Sequence, residues 1–154
     1  MYDTNRELVE ALAATPDVLE ALLHGLSQEP ARALRGGDEH WSILEVICHL
    51  RDAEEFALRR MRTMRDEPEP PISGYDQAAW ARERNYAAAD LHAAFLAFQG
   101  FRAQHLAELA ALAPEQWQRL GRHDKHGAVT ILNHSQHTLW HDAVHTAQIA
   151  RQLR

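Results

Sequence analysis

The sequence predicts an all-α protein, a four-helix bundle in a single domain spanning residues 1–154. Four long segments carry apolar residues at helical spacing, each bounded by proline, glycine or a capping residue. Nothing between them shows the period-2 alternation of a half-buried strand, so no sheet is expected. The length of 154 residues, with 45% hydrophobic residues, is enough for one core that needs neither disulfide nor structural metal.

The first helix is read from "NRELVEALAATPDVLEALLHGL", where Leu8, Leu12, Leu19, Leu22 and Leu26 recur at helical spacing and Thr15-Pro16 predicts a kink or restart. The second begins at "WSILEVICHL". Ser42 with Glu45 three residues later makes a capping box, and the run to Met64 has neither Gly nor Pro, giving about 23 residues or ~35 Å. "RDEPEPPISGY" reads as a surface loop, and Tyr75 to Arg84 as one short helix. From Ala88 to Leu112 the residues Leu91, Phe95, Phe98, Leu109 and Leu112 share one face of a third long helix, which Ala113-Pro114 ends. Gly121 to Gly127 reads as a second loop. Thr130 then caps a last helix running to the C-terminus.

Composition excludes several functions. The formal net charge of -6, with no Lys/Arg cluster, is the wrong footprint for nucleic acid. No apolar run approaches the ~20 residues of a membrane span and no leader pattern opens the chain, so a cytoplasmic protein is expected. One cysteine, Cys48, permits neither an internal disulfide nor a Cys-rich zinc site. A metal must therefore be held by imidazole or carboxylate.

Eleven histidines are the compositional oddity, seven of them between His105 and His145. At about 100° per residue, His134, His137, His145 and Gln148 all fall within about 40° of His141 on the last helix. Ile131, Ile149 and Val144 flank this stripe, which predicts that it faces the bundle interior. His49 sits at the border of the apolar stripe of the second helix, with Cys48 turned away from it. Two imidazoles at i and i+4 and a third from a facing helix would give three protein ligands and one open position, the layout of a catalytic zinc site. His134 and His137 read as pocket-lining residues, and His105, beside Arg102, as a reserve ligand. His24, His40, His92, His123 and His126 read as solvated, Phe95, Phe98 and Trp140 as core, and "RRMRTMR" as a solvated face with i, i+4 partners. Taken alone, a His-x-x-x-His pair is a weak signal.

"HDAVH" also stands one methylene from the H-E-x-x-H pattern of zinc peptidases. Asp142 is shorter than the required glutamate and lies about 100° off the proposed metal face, so a peptidase is rejected.

The Trp-Ser-x-x-Glu-x-x-x-His-Leu-x-Asp-x-Glu run from Trp41 to Glu54 and the His-Asp-x-x-His-x-x-Gln-Ile run from His141 to Ile149 resemble the DinB-like (DinB/YfiT) superfamily of four-helix bundles. The likeness covers nearly the whole chain. By position it implies His49, His141 and His145 as ligands of a divalent metal between the second and last helices. Glu45, Asp52, His137 and Gln148 are then candidate supporting or pocket residues. Zinc is the first expectation, with nickel, iron or manganese as alternatives. The resemblance further implies a transferase in which the metal activates a low-molecular-weight thiol of the bacillithiol, mycothiol or glutathione type for attack on a small electrophile. The alternatives are a hydrolase in which the metal activates water and a non-catalytic, stress-related binding bundle. The expected partners are thus a thiol and an electrophile, with no nucleic acid or membrane. A homodimer is expected through an apolar face of the last helix bearing Leu132, Leu139 and Ala150, and because such bundles are often dimeric.

Overall fold

The computed structural model describes residues 4–37 and 40–154. In chain order its elements are α1 (Thr4–Leu23), α2 (Gln28–Ala33), β1 (Arg35–Gly36), β2 (Trp41–Ser42), α3 (Ile43–Asp66), β3 (Pro71–Ile72), α4 (Gln77–Glu83), α5 (Leu91–Ala110), β4 (Leu120–His123), β5 (Gly127–Thr130) and α6 (Ile131–Gln152). The four long helices form the predicted bundle. Around it α1 packs on α5 and α6, and α3 packs on the same two, so α1 and α3 face each other across one diagonal.

The helix starts follow from their caps. Ser42 and Glu45 form the reciprocal capping box at α3, Asp90 accepts from the Ala93 amide at α5, and Thr130 accepts from the Asn133 amide at α6. The short α4 begins on Asp76, inside the stretch expected to be helical.

Two expectations are corrected. The helix α1 runs through Pro16 without a restart. The chain contains short strands: β1 pairs antiparallel with β2, β4 pairs parallel with β3, and β4 and β5 form an antiparallel hairpin where a loop was expected. At two to four residues each they are too short for side-chain alternation to register in the sequence. The apolar face of α6 is used within the chain, because Leu132 and Leu139 pack half-buried against the core.

The interior is layered. One apolar cluster, with Leu19, Trp41, Leu44, Ile47, Leu50, Tyr86, Phe98 and Ile149, fills one end. A second, with Leu8, Leu12, Leu58, Met61, Met64, Leu109, Trp117 and Ile131, fills the other. Each long helix crosses between them with a buried polar residue: Thr15 on α1, Glu54 on α3, Arg102 and His105 on α5, and Ser135, Thr138 and Asp142 on α6. No helix among the described residues is long and apolar enough to cross a membrane.

Candidate metal centre

The capping box at Ser42 fixes the start of α3, so that His49 enters the bundle two turns later. It is 1% exposed. The Trp41 ring lies against it, with centroids 4.9 Å apart. On α6, His141 and His145 stand one turn apart and face it. His49 Nε2 and His141 Nε2 approach to 2.8 Å, and one ligand atom from each of the three imidazoles lies within 4.8 Å of the others. The structure thus brings together the three residues singled out from the sequence.

The charge states suit a cation. Burial, followed by repulsion from His145, lowers the pKa of His49 to about 3. Burial, followed by His145 and His49, lowers that of His141 to about 2. Both rings are neutral near pH 7, and a neutral imidazole has one lone pair to give. Two nitrogens bound to one tetrahedral ion at ~2.0 to 2.1 Å stand roughly 3.3 Å apart, so the two Nε2 atoms need to part by only a few tenths of an ångström. The donor set therefore fits a divalent ion.

Gln148 is hydrogen-bonded to one of the three. Its Oε1 accepts from His145 Nδ1 at 2.9 Å, and its Nε2 donates to the Gly36 carbonyl at 3.1 Å. This fixes the proton on Nδ1 and makes Nε2 the candidate ligand atom. Gly37, at φ +77°, allows the loop to come this close, since a Cβ there would sit 2.5 Å from Gln148 Nε2. Gln148→Leu is expected to weaken metal affinity by about 10- to 100-fold while leaving the fold intact, as read by competition with a chelator of known affinity. Unchanged affinity would deny Gln148 this role.

Of the other candidates, His134 and His137 line cavities beside His141, and Glu45 and Asp52 are held in polar contacts of their own. Glu45 is held by the Ser42 amide at 2.7 Å and by Arg35 at 2.8 Å. Asp52, 2% exposed, accepts from Tyr86 Oη at 2.6 Å and pairs with Arg51 and Arg84. His137 is exposed and stacks on Trp140. His134 is buried and donates from Nε2 to the Ala57 carbonyl. Trp140, expected in the core, is 59% exposed. His24, His40, His92 and His126 are exposed as expected, but His123 is partly buried against His126. Of the arginines in "RRMRTMR", Arg59 pairs with Glu55 at i, i+4, whereas Arg62 and Arg65 reach across to Glu108 on α5.

Sequence reasoning missed the polar layer beside this centre. Arg102 donates from Nη1 to Asp142 at 2.7 Å and from Nη2 to Glu54 at 2.7 Å, and Asp142 also accepts from Thr15 Oγ1 at 2.8 Å. His105 Nδ1 donates to the second Glu54 oxygen at 2.8 Å, so His105 is engaged here rather than held as a ligand. Arg102 Nη1 also donates to the Leu12 carbonyl at 2.8 Å. That carbonyl is the one Pro16, lacking an N–H, cannot serve. Asp142 lies at the centre of the buried face of α6, and the histidine stripe lies along its edge.

That edge opens on a cleft of about 580 Å³, lined by His141, His145, Trp140, Val144 and Tyr75 among others. Its charged lining residues are Arg60, Lys125 and Arg151, all basic. The centre is thus closed by protein behind His49 and open in front of His141 and His145.

Comparison with known proteins agrees with this fold. The profile of the DinB superfamily matches residues 11–149. A Geobacillus thermodenitrificans protein named "Putative metal-dependent hydrolase" is 26% identical over 147 residues, covering 94% of this chain and 81% of its own. "Putative metal-dependent hydrolase YfiT" of Bacillus subtilis is 27% identical over 118 residues, covering 76% of this chain and 66% of its own. The solved structure of Bacillus subtilis YfiT, a four-helix bundle of unusual topology, superposes with a TM-score of 0.90 over 99% of this chain and 87% of that one, at 22% identity. The structural likeness shows the fold.

Proposed function

The chain belongs to the DinB superfamily, and from that premise we propose that it is a divalent-metal enzyme whose ion is held by His49, His141 and His145. The observation that carries this reading is the convergence of three imidazoles, one buried and two facing a cleft. The names of its relatives support metal dependence. A bound divalent ion of the zinc type supplies a nucleophile at neutral pH by deprotonating a coordinated thiol or water.

The chain's own residues set the stage for that chemistry. Three imidazoles leave a coordination position open toward the cleft. Trp41 keeps water from the far side of His49, and Gln148 holds the His145 ring. Cys48 does not compete as nucleophile: it is buried on α3 and burial pushes its thiol up to about 11, so it stays protonated.

The finer reading is transfer of a low-molecular-weight thiol to a small electrophile, which the cleft has room to hold beside the ion. Conjugation is expected to occur only with added thiol. Between pH 6 and 9 its rate should rise less steeply than the thiolate fraction of a free thiol of pKa ~8.5. A rate that tracks free thiolate would sink the metal's part in it. The second reading, hydrolysis of an ester or amide, is favoured by the names of the relatives. Turnover with water alone would select it.

A further inference from the structure

Among the arginines of α3, Arg60 is set apart. Arg51, Arg59, Arg62 and Arg65 each hold a carboxylate at 2.5 to 2.8 Å. Among the described residues Arg60 holds none in an ion pair. Its guanidinium lies 4.4 Å from the centre of the Phe56 ring, Nη2 donates to the Ser73 carbonyl, and Nε is buried without a hydrogen-bond partner. Burial lowers its pKa, with Tyr75 and Asp124 acting against that from a distance. The Asp124 carboxylate is more than half exposed and lies 2.8 Å from His123 Nδ1. A half-desolvated cation with a spare donor and no counter-ion is an expensive feature to keep in a structure.

Its position suggests a use. Arg60 lines the cleft in front of His141 and His145, and also two smaller cavities that it shares with His134 and His137. Tyr75 lines the cleft with it, and burial pushes that phenol up to about 12, so its O–H is a donor. Lys125 and Arg151 lie on the same walls. In a chain with 22 acidic and 16 basic residues, this cleft gathers cations beside the candidate metal centre. Opposite charges in such a low-dielectric recess attract an anionic ligand and raise its local concentration.

We propose that Arg60 is the anchor for an oxyanion group, a carboxylate or phosphate, on the small molecule that this cleft accepts. The guanidinium fork matches two oxygens of such a group. The group would be held to one side of His141, leaving the remainder of the molecule to reach the open position. The inference rests on the three-histidine reading for its part in a reaction, but anion binding by Arg60 does not need the ion.

The test is therefore run on zinc-free protein and then on zinc-loaded protein. Inorganic phosphate and acetate serve as probes, followed by calorimetric titration and by the arginine Nε–H resonances at fixed ionic strength. The zinc-free wild type is expected to bind at least one probe in the millimolar range. Arg60→Gln should bind it about tenfold more weakly or worse, Arg60→Lys should recover part of the loss, and Arg59→Gln should match the wild type. Binding of phosphate alone would point to a phosphate-bearing ligand, and binding of both probes to a carboxylate-tolerant one. Circular dichroism and zinc uptake report whether Arg60→Gln is folded, and both should be unchanged. Equal anion binding by wild type and Arg60→Gln would overturn the proposal, as would a wild type that binds neither probe. Failure of the wild type to take up zinc would overturn the metal reading alone, because the anion titration is read without zinc.

Discussion

Replacing His49, His141 or His145 with alanine is expected to strip the metal from the protein, taking content from near one equivalent to a small residue by elemental analysis of untagged protein. Loss of a residue that only supports a ligand costs about 10- to 100-fold in affinity, so loss of a ligand itself should cost more. Only two imidazoles would then remain for an ion that needs three protein donors and an open position. The helix content should survive each change. The two apolar clusters that hold the bundle are closed by residues other than these three. His24→Ala, exposed at the end of α1, should keep the metal. So should Asp142→Asn, because that carboxylate is turned to Arg102 and Thr15. Full occupancy in His49→Ala would show the site to be wrongly placed. His137, which lines the same cleft, would be the ligand to test next.

Helical spacing on the last helix and the border position of His49 on the second allow the three imidazoles as a set, but it is their place in the family's two motifs that singles them out from His105, His134 and His137. The four long helices are legible because their evidence is local, each announced by its own apolar period and cap. The short strands were invisible for the opposite reason. A strand such as β3 is two residues long, and its pairing with β4 is set by how loops close over the bundle. The full width of the inward face of α6 was hidden for a similar reason. Asp142, Ser135 and Thr138 are polar, yet each is buried and hydrogen-bonded. Their partners lie on other helices or one turn back, which no single-helix pattern reveals. Pro16 is the sharpest case. Read locally it breaks α1, yet the carbonyl it leaves unserved is satisfied by Arg102 from α5.

The largest effect on stability is expected at Arg102. Its guanidinium is 1% exposed and is the counter-charge for both Glu54 and Asp142. Arg102→Met keeps much of the side chain's volume but leaves two carboxylates buried together and the Leu12 carbonyl unserved. Removing one partner of a buried ion pair costs about 3–5 kcal/mol, a large share of the ~5–15 kcal/mol that holds a domain folded. Denaturant unfolding at pH 7 should show a loss of that order, and a difference below ~1 kcal/mol would refute the assignment. The pH dependence gives a second reading. Burial pushes the Glu54 carboxyl up, but the hydrogen bond from His105 and the charge of Arg102 outweigh it and hold the group at about 2. Its folded value lies below the unfolded ~4.3, so its stabilisation is present above pH ~4.3 and is lost as the pH falls toward 2. Asp142 moves the other way, since burial there outweighs Arg102 and Thr15, and the pH argument rests on Glu54. In Arg102→Met that counter-charge is gone, so burial should raise the Glu54 carboxyl and its protonation should relieve the variant as the pH falls. The stability gap between wild type and variant should therefore narrow from pH 7 to pH 3. A gap constant across that range would mean that Arg102 acts by filling space, and that the polar layer between the two apolar clusters is held by something other than charge.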